Sequence, residues 1–509
     1  MAKIERTKNA SRNIFFGVIL KAYQILVPFL MRTAMIYLMG VQYLGMNSLF
    51  TSVLQVLNLA ELGVGSAMVY SMYKPIAEDD NTTICALMKL YRTYYRVIGL
   101  VIAVVGCALT PFIPHLIKSD VPAGINIYIL YLLNLGATVL SYWLFAYKNS
   151  ILQAHQRNDV VSKVTLVTST IQYGLQLLVL WAFHNYYLYV IVMLATQALT
   201  NIVTAVCADK LYPQFKPKGN IPKEEIKRIN QRIRDLFTAK LGAVIIGSAD
   251  TIVISAFLGL TQLAIYQNYY FIMNAVYGLI LVVFSSVTAG MGNSLIVESS
   301  QKNYNDLKKF TFLTMWLITV CVCCFAVLYQ PFMRLWVGDD LLLDYSFVIM
   351  FCIYFFVLVL AMVWATIKDA AGMWRQDRFR PLIGATVNLC INLALVNVIG
   401  LYGIILSTVL SYIFVSMPWL VHNVFKYIYK KSCKEYVIKL VIYTLVCVFS
   451  CLITILTCNL IRLDGILALL IYGIIAVVIS CIIQWLFYHK TTEFEKSKQL
   501  LMNLIKNGR

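Results

Sequence analysis

Leu59–Pro75 reads LAELGVGSAMVYSMYKP and sets a glutamate, Glu61, inside an otherwise apolar and small-residue run. Upstream, Ser48–Asn58 reads SLFTSVLQVLN, so the hydrophobic segment extends from about Asn47 to about Met72. About 20 apolar residues in a helix cross a bilayer, and Glu61 falls near the middle of this run. A charge at that depth is costly unless it is paired, protonated or wetted. The stretch reads as a membrane span with a polar task.

The rest of the chain agrees. Of 509 residues, 60% are hydrophobic and 13% charged, where a soluble domain carries about 25% charged residues. Apolar runs bounded by charge, Pro or Gly predict fourteen spans: 14–39, 47–72, 94–113, 124–147, 164–183, 186–206, 236–258, 265–297, 311–330, 345–367, 382–399, 402–425, 440–459 and 465–488. The basic N-terminal segment MAKIERTKNASRN precedes an apolar run too long for a signal peptide, which reads as an uncleaved first span. With the N-terminus inside, 36 of the 42 Lys and Arg residues fall on the inner side, counting Arg96 at the inner end of the third span. Lys118, Arg334 and Arg462 fall outside, and Lys21, Arg32 and Lys240 lie within spans. This bias orients both termini to the cytoplasm. The net charge of +19 follows from topology and an anionic inner leaflet, so no nucleic-acid partner is implied. Outside loops are short, which leaves no room there for an enzyme domain. No P-loop or HExxH occurs, no metal set is apparent, and Cys321, Cys323 and Cys324 read as small apolar residues of a span.

The stretch DKLYPQFKPKGNIPKEEIKRINQRIRD places Ile226, Ile229, Ile233 and Leu236 at helical spacing opposite Lys and Arg. It is expected to lie on the inner membrane surface as a basic amphipathic helix between two six-span halves. The halves resemble each other at an offset near 219: Gly40 over Gly259, Leu44 over Leu263, Lys21 over Lys240. Near that offset HQRND is echoed by WRQDR, and Gln172 and Gln176 by Asn388 and Asn392. An even number of spans per half gives both the same orientation, about an axis along the membrane normal.

Polar residues recur at helical spacing inside the spans: Lys21, Gln24, Pro28 and Arg32; Asn47, Asn58, Glu61 and Gly65; Asn134, Ser141 and Lys148; Gln267 and Asn274. The amides and hydroxyls either glue helices together or line a cavity, and both readings stay open. Ionisable groups are costlier glue, which points to Lys21, Arg32, Lys240, Glu61 and Asp250 as functional. Lys148 and Lys368, at inner span ends, serve either topology or substrate. Arg32 and Glu61 lie at similar depth in adjacent spans and would form either a static pair or a gate.

The signature Tyr43-Leu44-Gly45, Leu59, Glu61-Leu62-Gly63, Gly65 and Ala67, with ILQAHQRND after the fourth span, resembles bacterial polysaccharide-biosynthesis flippases. These belong to the multidrug/oligosaccharidyl-lipid/polysaccharide (MOP) exporter superfamily, with the MATE multidrug exporters and the lipid II flippase. The resemblance implies an all-α polytopic membrane protein with a MATE/MOP-like fold of two six-helix bundles and two added C-terminal helices. The divisions expected are 1–209, a cytoplasmic linker 210–235, 236–428, and 429–509. It further implies a flippase moving undecaprenyl-pyrophosphate-linked oligosaccharide between leaflets by alternating access in the bacterial cell membrane. Membrane lipids, a polysaccharide polymerase and glycosyltransferases are the expected company. No cofactor is expected beyond a coupling ion, H⁺ or Na⁺. Arg32, Lys21 and Lys240 would meet the phosphates and Glu61 or Asp250 would couple or gate. The alternative is a MATE-like proton- or sodium-coupled cation antiporter.

Overall fold

The computed structural model describes residues 6–118, 121–461 and 463–507; within helices, the side chains of 6–11, 14, 235, 238–240, 243, 289, 500, 501 and 503–507 lie outside the described residues. The protein is a polytopic membrane protein, all helical among those residues. By contact it forms two compact units, Met1–Ala264 and Ile265–Arg509.

The first unit contains α1 (Arg6–Leu38), α2 (Val41–Leu57), α3 (Val64–Ala77), α4 (Asn81–Leu109), α5 (Ile127–Trp143), α6 (Asn149–Ala154), α7 (Asn158–Phe183), α8 (Tyr186–Leu211) and α9 (Lys223–Leu258). Here α1 packs on α7 and α2, α5 on α4 and α8, and α9 on α2 and α3. The second unit contains α10 (Leu260–Val297, which starts just before the division), α11 (Ser300–Val337), α12 (Tyr345–Ala370), α13 (Trp374–Asp377), α14 (Arg380–Ile399), α15 (Leu401–Ser411), α16 (Met417–Asn423), α17 (Lys434–Ile461), α18 (Gly465–Tyr488) and α19 (Thr492–Asn507). The C-terminal pair α17 and α18 docks on α11, where Cys323 packs among Val327, Cys458, Ala468 and Ala476.

Among the described residues twelve helices are long and apolar enough to span, or thirteen if the bent pair Ile127–Trp143 and Ala146–Ala154 is one span. The seventh expected span, 236–258, lies in a 36-residue helix in which the side chains of 238–240 and 243 are outside the described residues, and its described apolar stretch is Val244–Leu258.

α9 joins the expected linker and the expected seventh span in one helix, which at 1.5 Å per residue is about 54 Å long. It docks on α3 and α4: Arg232 Nη1 donates to Ser71 Oγ at 3.3 Å, with its guanidinium 4.7 Å from the Tyr70 ring. Tyr94 donates to Asn230 at 2.7 Å. The isoleucine stripe turns inward with the helix, and Ile229 is buried.

The internal repeat is visible in the backbone. Gly40, between α1 and α2, has φ 111°, and Gly259, between α9 and α10, has φ 94°. Both are conformations that L side chains rarely adopt. Each unit also carries a buried aspartate, Asp159 in the first turn of α7 and Asp377 at the end of α13. Asp159 accepts from Arg157 at 2.9 and 3.3 Å, and Asp377 from Arg380 at 2.6 and 2.8 Å.

The Tyr-Leu-Gly signature has a packing cause. A Cβ on Gly45 would stand 2.2 Å from the Leu260 carbonyl oxygen, whereas one on Gly174 meets nothing within 4 Å. Gly45→Ala is therefore expected to destabilise the purified protein by about 1–3 kcal/mol. Gly174→Ala should leave the thermal midpoint unchanged or slightly raised. Equal midpoints for the two variants would refute the close approach.

Candidate functional site

The second span does not cross as one helix. α2 ends at Asn58, a residue whose side chain competes with helical hydrogen bonding; a 3₁₀ turn covers Asn58–Glu61. Leu62 is extended, and Gly63, at φ 88°, starts α3. Only glycine fits there, because a Cβ would lie 2.7 Å from Leu236 Cβ and 3.0 Å from the Ile233 oxygen of α9. The break sits at the middle of Val41–Ala77 and places Glu61 off the helical surface.

Both carboxylate oxygens of Glu61 accept tyrosine hydroxyls. Tyr95 donates to Oε1 at 2.5 Å and Tyr142 to Oε2 at 2.7 Å. Tyr142 is also 3.1 Å from Asn58 Oδ1, and Tyr91 donates to Tyr95 at 2.6 Å. The result is a hydrogen-bonded chain from Tyr91 through Tyr95 to Glu61 and on to Tyr142 and Asn58. Its three rings pack edge to face, with centroids 4.4 and 5.3 Å apart. Gly65 makes room for it, since a Cβ there would stand 3.0 Å from the Tyr91 hydroxyl.

A second break faces the first. α5 ends at Trp143, Phe145 adopts a left-handed conformation at φ 58°, and the chain bends by 47° into a 3₁₀ turn and α6. Between the breaks lies a cavity of about 350 Å³. Glu61, Tyr91 and Tyr95 line it from one side and Phe145 and Asn149 from another, with Thr200 and Asn201 of α8 closing it. Interrupted helices with polar backbone and side chains on a cavity are a recurrent way of building a transport site.

Family comparison places this arrangement. The profile of the family described as "Polysaccharide biosynthesis protein" matches residues 35–342, which includes both breaks. The chain belongs to the polysaccharide biosynthesis protein family. Among solved structures, the lipid II flippase MurJ in an inward closed conformation is similar, with TM-score 0.71 at 16% identity over 94% of this chain and 99% of that one. A multidrug resistance MATE family transporter of the MOP superfamily, inward-facing, gives 0.59 at 14% over 79% and 95%. Its outward-facing form gives 0.51 at 14% over 84% and 97%. The fold is thus that of the MOP superfamily, shared by flippases and multidrug transporters. No curated protein matches the chain.

The remaining residues singled out from sequence fall in several environments. Arg32 on α1 is half-buried with Nη2 enclosed, and its electrostatic neighbour is Tyr189, which stacks on Tyr186. The structure thus gives Glu61 partners other than the arginine to which depth alone pointed. Lys21 is half-buried and Gln24 exposed. The side chain of Lys240 lies outside the described residues. Asp250 is buried in α9, Gln267 is half-buried and Asn274 is exposed on α10.

For several of the amides and hydroxyls that sequence leaves open between helix glue and cavity lining, the bonds run to a neighbouring helix or within their own. Asn388 donates to Ser407 at 3.1 Å and to Thr408 at 2.9 Å, and Ser407 donates to Asn392, between α14 and α15. Gln176 donates to the Tyr189 carbonyl at 3.3 Å, with Gln172 3.4 Å away. Asn134 bonds Leu130 of its own helix. Ser141 and Asn47 offer carbonyls to Asn201 and Thr51. Lys148 pairs with Asp209, and Lys368 with Asp369 and Asp377.

Sequence reading missed Tyr91, Tyr95, Tyr142, Asn149 and Asn201. Tyr91 and Tyr95 carried one signal, their i, i+4 spacing on one face of an apolar span. Tyr95→Phe and Tyr142→Phe are each expected to lower stability by about 1.5–3 kcal/mol, the usual weight of a hydrogen bond to a charged group. Both losses should shrink in a Glu61→Gln background. Thermal unfolding in detergent checks this; unshifted midpoints would mean that the hydroxyls do not hold the carboxylate.

Proposed function

We propose that the protein is a flippase carrying undecaprenyl-pyrophosphate-linked oligosaccharide from the inner to the outer leaflet by alternating access. The observation that carries the reading is Arg32, a half-buried guanidinium inside the first span, beside Tyr189. An arginine within a span suits an anionic head group, to which it offers paired charge-assisted hydrogen bonds. Lys21, eleven residues earlier on the same helix, would meet the head group nearer the inner leaflet, and Lys240 would do so from α9. The family, polysaccharide biosynthesis, supports a sugar-bearing substrate.

Outward movement of the anion would draw on the inside-negative potential, worth about 2.3 kcal/mol per charge per 100 mV. Glu61 or Asp250 would couple H⁺ or Na⁺, or gate. The chain catalyses no bond change in this reading. Glycosyltransferases supply its substrate and a polymerase consumes its product.

A second reading, a MATE-like cation antiporter, draws on one observation: Glu61 brings a carboxylate to a cavity whose lining contains no Lys or Arg among the described residues.

Under the flippase reading, Arg32→Ala abolishes surface polysaccharide and proteoliposome flipping of a labelled lipid-linked sugar while protein level stays normal. Arg32→Lys retains part of the activity. Normal surface polysaccharide in Arg32→Ala would overturn the role of Arg32. Drug resistance conferred on a sensitised strain by the wild type, without flipping, would establish the antiporter instead.

A further inference from the structure

We infer that the cavity between the two helix breaks of the first unit is a subsite for one neutral, hydroxyl-bearing sugar residue of the substrate, separate from the residues that meet its phosphates. The inference rests on the flippase reading for the origin of the sugar, and on the cavity's own chemistry for the rest.

The first observation is an unmet acceptor. Asn149 lines the cavity, its Oδ1 is enclosed, and among the described residues that oxygen has no hydrogen-bond partner. An enclosed acceptor without a donor is uncommon in a native fold and calls for a ligand that donates.

The second is Glu61. Its two oxygens each take one tyrosine hydroxyl, yet an ionised carboxylate offers about four lone-pair sites. Two sites remain for a pair of neighbouring hydroxyls, the donor pattern that a pyranose presents.

The third is what the lining lacks. No Lys or Arg occurs among the described residues that line it, so a pyrophosphate would find no cation there. Thr165, Thr200 and Asn201 line the remainder; Thr200 Oγ1 bonds Thr168 and the Thr196 carbonyl, and Asn201 Nδ2 gives one hydrogen to the Ser141 carbonyl, which leaves its second N–H and its oxygen. A simple cation needs acceptors alone, whereas a sugar hydroxyl both donates and accepts and so uses a mixed wall. The Tyr91 and Phe145 rings supply apolar faces for the C–H side of a sugar.

Size sets the scale. A volume of about 350 Å³ stands at the low end of ligand pockets, roughly 300–1,000 Å³. That admits a single sugar, not a whole repeat unit.

The test uses the full-length protein in lipid nanodiscs and saturation-transfer NMR. The probes are methyl hexosides and methyl N-acetylhexosaminides, with inorganic pyrophosphate and tetraphenylphosphonium as competitors. The expected result is transfer to at least one glycoside that excess pyrophosphate leaves unchanged. Gly65→Val, which pushes a side chain at Tyr91, should abolish it. Asn149→Ala should weaken it by about tenfold, the weight of one hydrogen bond to an enclosed acceptor, with a wild-type thermal midpoint confirming the fold.

No glycoside binding by the wild type, competition by pyrophosphate, or displacement by tetraphenylphosphonium overturns the subsite. So does binding at wild-type strength in a folded Asn149→Ala. Flipping at the wild-type rate in Gly65→Val overturns the subsite and leaves the flippase reading standing. Glycoside binding by a wild type that flips no lipid-linked sugar upholds the subsite and sinks the flippase reading.

Discussion

A carboxylate at the centre of a membrane span has to be satisfied by something other than bulk water, and the first unit is organised around that requirement. An unbroken helix would present Glu61 on its surface, at a cost on the order of 3 kcal/mol. The 3₁₀ turn at Asn58–Glu61 removes it from the helical ladder, and Tyr95 and Tyr142 take its two oxygens. Everything close by follows from that arrangement. Gly63 is glycine because α9 runs against the break, Gly65 because Tyr91 does, and Ala67 is wholly buried beside them. The small residues of the signature that resembles polysaccharide flippases, Gly45, Gly63, Gly65 and Ala67, are those that let a broken span pack.

The helix that packs against Gly63 is α9, and Ser71 and Tyr70 of α3 and Tyr94 of α4 supply partners for the polar face of its basic first half. It is thereby held by polar contacts in that half and continues into its apolar half without a break. A cation–π contact of this kind is worth about 0.5–1 kcal/mol at an exposed site, so the docking draws on several modest contacts together.

Two kinds of polar surface occur in the first unit. Arg32 and Lys21 belong to α1, which packs on α7 and α2. The cavity at the breaks is lined by Glu61, Asn149, Asn201 and threonines, with no basic side chain among its described lining. Under the proposed flippase reading, the two would meet the anion and the neutral polyols of a lipid-linked oligosaccharide. The second unit shows the contrasting use of polar groups. Asn388, Asn392, Ser407 and Thr408 satisfy one another in a dry seam, so the same residue types act there as helix glue.

Sequence by itself determined the membrane character, the helical class, the family resemblance, the paired glycines Gly40 and Gly259, and the presence of a carboxyl group, Glu61, inside an apolar span. These follow from composition, from apolar run length and from single residues whose cost or conformation is intrinsic, and such properties need no partner to be read. The partners of Glu61 were decided only by tertiary structure, as was the assignment of Asn388 and Gln176 to seams. So were the bend at Phe145, which no local propensity announces, and the continuity of α9 from its basic to its apolar half. The physical reason is shared by all four: a polar face at helical spacing says that a residue seeks a partner, but whether that partner is a neighbouring helix or open space depends on which helices the fold brings alongside.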